Sequence, residues 1–140
     1  MDVNIGKLIE HAKLPIIVGI VLHVVGLVLG MALGLIGVGI AGLLGLVTLA
    51  VWVYAGFSAV KKAQVDLVTA GLIGAVASII AGFATGIISL IWNVIFGGSA
   101  VGAAIGVVET LIALPFALII GAVIGFVLAL IGGALAGFIK

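Results

Sequence analysis

The side chains able to do acid–base, nucleophilic or metal chemistry are few and far apart. Asp2, Lys7, Glu10, Lys13, Lys61, Lys62, Asp66, Glu109 and Lys140 carry the charge, and His11 and His23 are the histidines. Catalysis and metal binding need several such groups converging on one point, a nucleophile beside its base or a set of ligands round an ion. No hydroxyl here has a base at a usable spacing, no metal-ligand cluster can be assembled, and cysteine is absent. The glycines make no dinucleotide fingerprint either, since that motif follows a strand, opens a helix and has an acidic partner further on. The expectation is no catalytic residue, no metal, no cofactor and no enzyme activity. Without cysteine there are no disulfides or thiolate sites, and the redox compartment stays open.

His23 and Glu109 take their meaning from the elements that carry them. The chain has 140 residues, 66% hydrophobic and 6% charged, with a mean hydropathy of +1.72. A soluble domain is about half apolar and about a quarter charged. Too few polar side chains exist to clothe a soluble globule, and long uncharged runs would expose more apolar surface than a soluble monomer tolerates. Lipid must be the solvent, so membrane lipids are the first expected partner. The net charge is +1, with five lysines, no arginine and no basic cluster, which sets nucleic acid aside.

Charge positions then divide the chain, leaving uncharged runs over 14–60, 67–108 and 110–139. As one helix the first run would be roughly 70 Å long against a hydrocarbon core of about 30 Å, so it must fold back. The glycines of Gly34-Leu35-Ile36-Gly37-Val38-Gly39 mark the turn. Asn93 and Gly97-Gly98-Ser99 read as a second loop, and Pro115 suits the first turn of a last helix. The predicted fold is all-α, a polytopic membrane protein with four transmembrane helices as two hairpins, over 14–34, 40–60, 67–92 and 115–139. A short interfacial helix is expected over 1–13, where Ile5, Leu8, Ile9 and Ala12 follow helical spacing. Residues 14–34 are too long for an apolar signal core and no clear small-residue cleavage site follows, so they are expected to stay as a span. Four spans place all five lysines on one side and none at the hairpin tips. By the positive-inside rule both termini are then cytoplasmic and the protein is multi-pass in the cell membrane.

Inside the membrane the arrangement of small residues is the most informative feature. In span three Gly71, Ala75, Ser78, Gly82, Thr85 and Ser89 alternate at steps of four and three, one face of a helix. Span one carries Gly19, His23, Gly26 and Gly30 on one stripe, span two Ala41, Gly45, Thr48, Trp52, Ala55 and Ala59, and span four Gly121, Gly125 and Ala129. Lipid chains are as apolar as leucine, so helices associate through close backbone packing, which small residues permit. Whether those partners lie within one chain or between chains is open. Composition alone yields many glycine pairs, since 23 of the residues are glycine. An ungapped echo between 26–43 and 121–138 is assigned to the same low complexity, because the first copy spans the predicted turn.

His23 lies about nine residues into span one, near the midplane, where an ionisable group is a functional candidate by default. Counted inward from the lysine side, Thr48 and Ser78 reach similar depth, so His23, Thr48 and Ser78 form a possible intramembrane polar site. A satisfied packing histidine is the favoured reading, for a proton relay normally needs a second acid or base. Glu109 would lie at the far interface if span four starts near Pro115. Asp66 reads as a helix-start charge, Trp92 as part of an interfacial aromatic belt, and Trp52 with Tyr54 as anchors on the lysine side.

The glycine pattern ending in Leu130-Ile131-Gly132-Gly133-Ala134-Leu135-Ala136-Gly137 resembles that of small glycine-rich archaeal membrane proteins of unknown function. The resemblance implies an archaeal cell membrane and names no activity. Two function classes remain. The favoured one is a structural or assembly protein whose small-residue faces pack it into a homo-oligomer or a larger membrane complex. The alternative is a small channel or transporter with His23 near its pathway.

Overall fold

A computed structural model describes residues 5–138, and side chains from residue 9 onward within that range. It consists of α1 (Ile5–Leu33), α2 (Leu35–Ala63), α3 (Leu67–Phe96) and α4 (Ala100–Phe138). No strand occurs among the described residues. Each helix is long and apolar enough to cross a membrane, so the chain is an all-α, four-helix, multi-pass membrane protein. Residues 1–4 of the expected interfacial helix, residue 139 of span four, Asp2 and Lys140 lie outside the described residues.

The ends of the helices follow from local chemistry. A single residue, Gly34, joins α1 to α2 at φ +56° and ψ −129°, a conformation that favours glycine. The turn expected somewhere within 34–39 is thus confined to its first residue, and α2 begins at Leu35 rather than 40. Directly beyond, a Cβ on Gly37 would run into the Leu29 carbonyl, so the tip closes backbone on backbone. Between α2 and α3, Gln64 adopts the left-handed conformation that ends a helix. Asp66 then caps α3, its carboxylate accepting from the Thr69 N–H at 2.9 Å and the Thr69 hydroxyl at 2.7 Å. Those bonds, the Thr69 side chain foremost, hold the exposed Asp66 carboxyl below its ordinary value. At the second tip Gly98 takes φ +75°, and the Ser99 hydroxyl accepts from the Gly102 N–H at 3.0 Å to start α4.

Neither proline starts or ends a helix. Ile5 to Lys13 is helical, yet it continues without a break through Pro15 into the span. Pro15 forgoes one backbone hydrogen bond, and its ring is fully buried against the bundle. Pro115 likewise lies inside α4 rather than at its start. Residues 100–113, which lie outside the four predicted spans, are the first turns of a helix of 39 residues. At about 1.5 Å per residue that helix is roughly 58 Å long, more than the hydrocarbon thickness, so it tilts or projects beyond the core. Lipid offers no competing hydrogen bonds to a broken helix, which explains why proline fails to terminate either one.

Packing sets the hairpins side by side. The α3–α4 contact is the most extensive, followed by α1–α2 and α2–α4, then α1–α3; α1 and α4 do not meet. Going round the bundle the order is therefore α1, α2, α4, α3. At the end carrying Lys13, Lys61 and Lys62 the helices close on Ala12, Ala59, Ala70, Ile73 and Ala77. There α2 crosses α4 so tightly that a Cβ on Gly56 would enter the Ala129 carbonyl, and one on Gly132 the Val53 carbonyl. This is the close backbone approach that small residues permit.

Candidate functional site

The small-residue face of α3 meets α4 of the same chain. A Cβ on Gly71 would strike the Phe126 ring, and one on Gly82 would reach Leu118 Cδ2 at 3.0 Å. From the other side, a Cβ on Gly125 would enter the Ser78 hydroxyl, and one on Gly121 would lie 3.9 Å from Ser78 Cβ. Ala75, on the same helix, is half-buried. Two demanding positions on α3 were missed in the sequence, Gly74, whose Cβ would hit Gly125, and Gly86, whose Cβ would hit Leu114, as were Gly56 and Gly132 where α2 crosses α4. For the α3 pair, the spacing of four from Ser78 and Gly82 was the available signal. In α1, a Cβ on Gly19 would touch Ala81 at 3.6 Å and Thr48 at 3.8 Å, and one on Gly26 would meet Ala41 at 3.2 Å. Gly30 and Gly45 behave differently, with nothing within 4 Å of either.

The reason is a cleft of about 950 Å³ between the hairpins. Gly30 and Gly45 line it, as do His23, Thr48, Ser78 and Thr85, so the three expected polar residues do share one space. Their hydrogen bonds differ from expectation. Thr48 donates to the Leu44 carbonyl at 3.2 Å and Ser78 to the Gly74 carbonyl at 2.9 Å, each within its own helix. The partner of His23 is Ser89 instead, with Nε2 and Oγ 3.0 Å apart and the donor set by the imidazole tautomer. Counting inward from the nearest charge misjudged the register, because α1 runs on past Lys13 and pairs with α3 further toward the tips. His23 is ten residues from both Lys13 and Leu33, about 15 Å from each, and so keeps its position midway along the apolar part of α1.

Other polar groups settle the cleft's two ends. Asn93, expected in a loop, belongs to the last turn of α3, where its Nδ2 donates to the Gly106 carbonyl and the Thr110 hydroxyl, both at 3.2 Å. It fastens the tips of α3 and α4 together. Glu109 is exposed beside Thr110, at the level of Trp92 and Asn93, ten residues into a helix that begins earlier than expected. Trp92 lines the tip end of the cleft and packs on Phe96 with ring centroids 4.5 Å apart. Trp52 turns into the cleft at the opposite end, and its Nε1–H is buried without an acceptor among the described residues. Tyr54 is exposed nearby. No group of three or more possible metal ligands occurs among the described residues. Comparison with family models, curated proteins and solved structures gives no match for this chain.

Proposed function

We propose that the protein is a structural or assembly component of the membrane, packing through helix faces into a homo-oligomer or a larger membrane complex. One observation carries the reading. Gly39 and Gly42 stand on an exposed face of α2, flanked by exposed Leu35, Leu43 and Leu46, and an added Cβ at either glycine would meet nothing within 4 Å. A glycine inside a helix costs about 0.5–1 kcal/mol relative to alanine. Where helices cross, that cost is offset by close contact, as at Gly56, Gly74 and Gly132, whereas Gly30 and Gly45 line the cleft. Lipid needs no glycine, whereas a neighbouring helix does, since backbones approach closely only over small residues.

Cysteines placed at Gly39 and Gly42 test this, because the native chain contains none. Oxidative crosslinking in native membranes should give a covalent species larger than one chain from both positions. Cysteine at Gly82, whose face is taken up by α4, should give none. Crosslinking at neither α2 position, with normal expression, would remove the basis of the reading.

The transport reading keeps one specific observation, the His23–Ser89 pair beside a cleft at membrane depth. Against it, the cleft ends blindly at the lysine end, where Ala55, Gly56 and Ala59 are buried. Tracer flux into proteoliposomes that disappears in His23→Gln and His23→Leu alike would put transport first.

A further inference from the structure

The two hairpins touch unevenly along their length. At the lysine end α2 crosses α4 backbone on backbone, Gly56 against Ala129 and Gly132 against Val53, and Ala55, Gly56 and Ala59 of α2 are buried there. Toward the tips the cleft of about 950 Å³ separates them, and no residue of α4 before Gly125 is buried. Along α2 the cleft extends from Trp52 to Val38, roughly 21 Å at about 1.5 Å per residue. The chain passes from one hairpin to the other through residues 64–66, which are not helical and also lie at the lysine end. Each hairpin is tied within itself, α1 to α2 by the closed tip at Gly34 and Gly37, and α3 to α4 by Asn93. Away from the lysine end, the His23–Ser89 bond at 3.0 Å is the one side-chain hydrogen bond among the described residues that joins the two, and a single such bond is a modest restraint. Two stiff pairs joined at one end by a short non-helical link have the construction of a hinge.

The walls of the cleft match one another. Both α2 and α4 run from the tips to the lysine end, so they are parallel, and they meet through the pairs Gly56–Ala129 and Val53–Gly132. Continued toward the tips at the same rise, the mean register of those pairs sets Ala41 level with Ala117 and Gly45 level with Gly121. All four line the cleft, two small residues four apart on each helix. They do not meet here: an added Cβ on Gly45 finds nothing within 4 Å, and one on Gly121 finds only Ser78 Cβ at 3.9 Å. Glycine inside a helix is unfavourable relative to alanine, and small faces on parallel membrane helices gain their packing only when the backbones come close. We propose that the two hairpins have a second, closed arrangement, reached by pivoting at the lysine-end crossing, in which Ala41 and Gly45 seat on Ala117 and Gly121 and the cleft collapses. Spread over its length and a helix width of about 10 Å, the cleft is a gap of roughly 5 Å on average, so the tips approach by roughly 5–10 Å. The motion takes place within one chain and does not rest on the assembly reading, which concerns Gly39 and Gly42.

The chain has no cysteine, so spin labels can be attached to cysteines at Leu35 and Val101, exposed residues of the two tips. Dilution with unlabelled chain in nanodiscs restricts the measurement to distances within one molecule. Double electron–electron resonance should give two distances, the shorter by roughly 5–10 Å. Labels at Leu35 and Val21, both exposed on the first hairpin, should give one distance, because that hairpin moves as a unit. Gly45→Leu places a large side chain between the facing walls, where the arrangement described here has room for it. It should abolish the shorter Leu35–Val101 distance and keep the longer. A single Leu35–Val101 distance in the parent, two distances between Leu35 and Val21, or a shorter population undiminished by Gly45→Leu would overturn the proposal.

Discussion

Gly56→Ala is the sharpest test of how the bundle closes. The added Cβ would lie 2.5 Å from the carbonyl carbon of Ala129 and 2.6 Å from its Cα, where ordinary contact is 3.4–4 Å. Both obstructing atoms are backbone and cannot rotate aside, so α2 and α4 must part by about 1 Å in a tightly packed region. That movement also loosens the neighbouring Gly132–Val53 crossing. Overpacking of this kind costs about 1–3 kcal/mol, of which alanine's better helix propensity returns up to about 1 kcal/mol. The net expectation is a loss of about 0–2 kcal/mol. Gly45→Ala is the matched control on the same helix, with nothing within 4 Å of the new methyl. It should gain about 0.5–1 kcal/mol by removing a glycine from a helix interior. Titrating both variants with sodium dodecyl sulfate in mixed micelles, followed by far-ultraviolet circular dichroism, reads the difference. Equal unfolding midpoints for the two alanines would refute the claim that glycine is required where α2 crosses α4.

Three further outcomes follow from the geometry. Ser89→Ala and His23→Leu should each lower stability by about 1–3 kcal/mol by leaving a half-buried partner unpaired. Thr48→Val should do little, and a larger effect there than at Ser89 would contradict the assigned hydrogen bond. Single cysteines at Val38 and Ser99 should label from outside intact cells with a membrane-impermeant thiol reagent while Gln64 does not, and labelling at only one tip would contradict the paired hairpins. Asp66 has a folded pKa below its ordinary value near 3.8, so its contribution is fully present above that value and is lost as pH falls through the lowered one. Asp66→Asn should flatten that acid limb of the stability curve and leave the neutral region nearly unchanged, and an unaltered acid limb would show that the cap is not its source.

The four spans were legible because nine charged residues sit in few places and an apolar run in lipid has few other options. Gly34 and the Gly97–Ser99 tip were legible for the related reason that turns demand glycine. Helix limits were not. Pro115 carries a helix-start signal calibrated on soluble helices, and in a bilayer a helix already under way runs through it. The partner of His23 was hidden because depth was counted along each helix from its nearest charge, while the true register depends on how α1 slides against α3. Ser89 already stood on the small-residue face of span three, but nothing in one sequence fixes that offset. The same face left its partner open: Gly71 and Gly82 lie against α4 of the same chain, as do Gly74 and Gly86, which the stripe did not include. Of the outward pair, Gly39 was read as turn because it follows Gly34 so closely, and Gly42 fell in span two without being singled out as a packing position.

The mass of the particle in lipid nanodiscs, measured at expression levels near native, tests the assembly reading most directly. The chain itself is 13.8 kDa. The account predicts a protein mass at a multiple of that value, or at a fixed larger complex, and a shift toward the single chain in Gly42→Leu with far-ultraviolet circular dichroism unchanged. A uniform mass of one chain for the parent, at every ratio of protein to lipid tried, would contradict it.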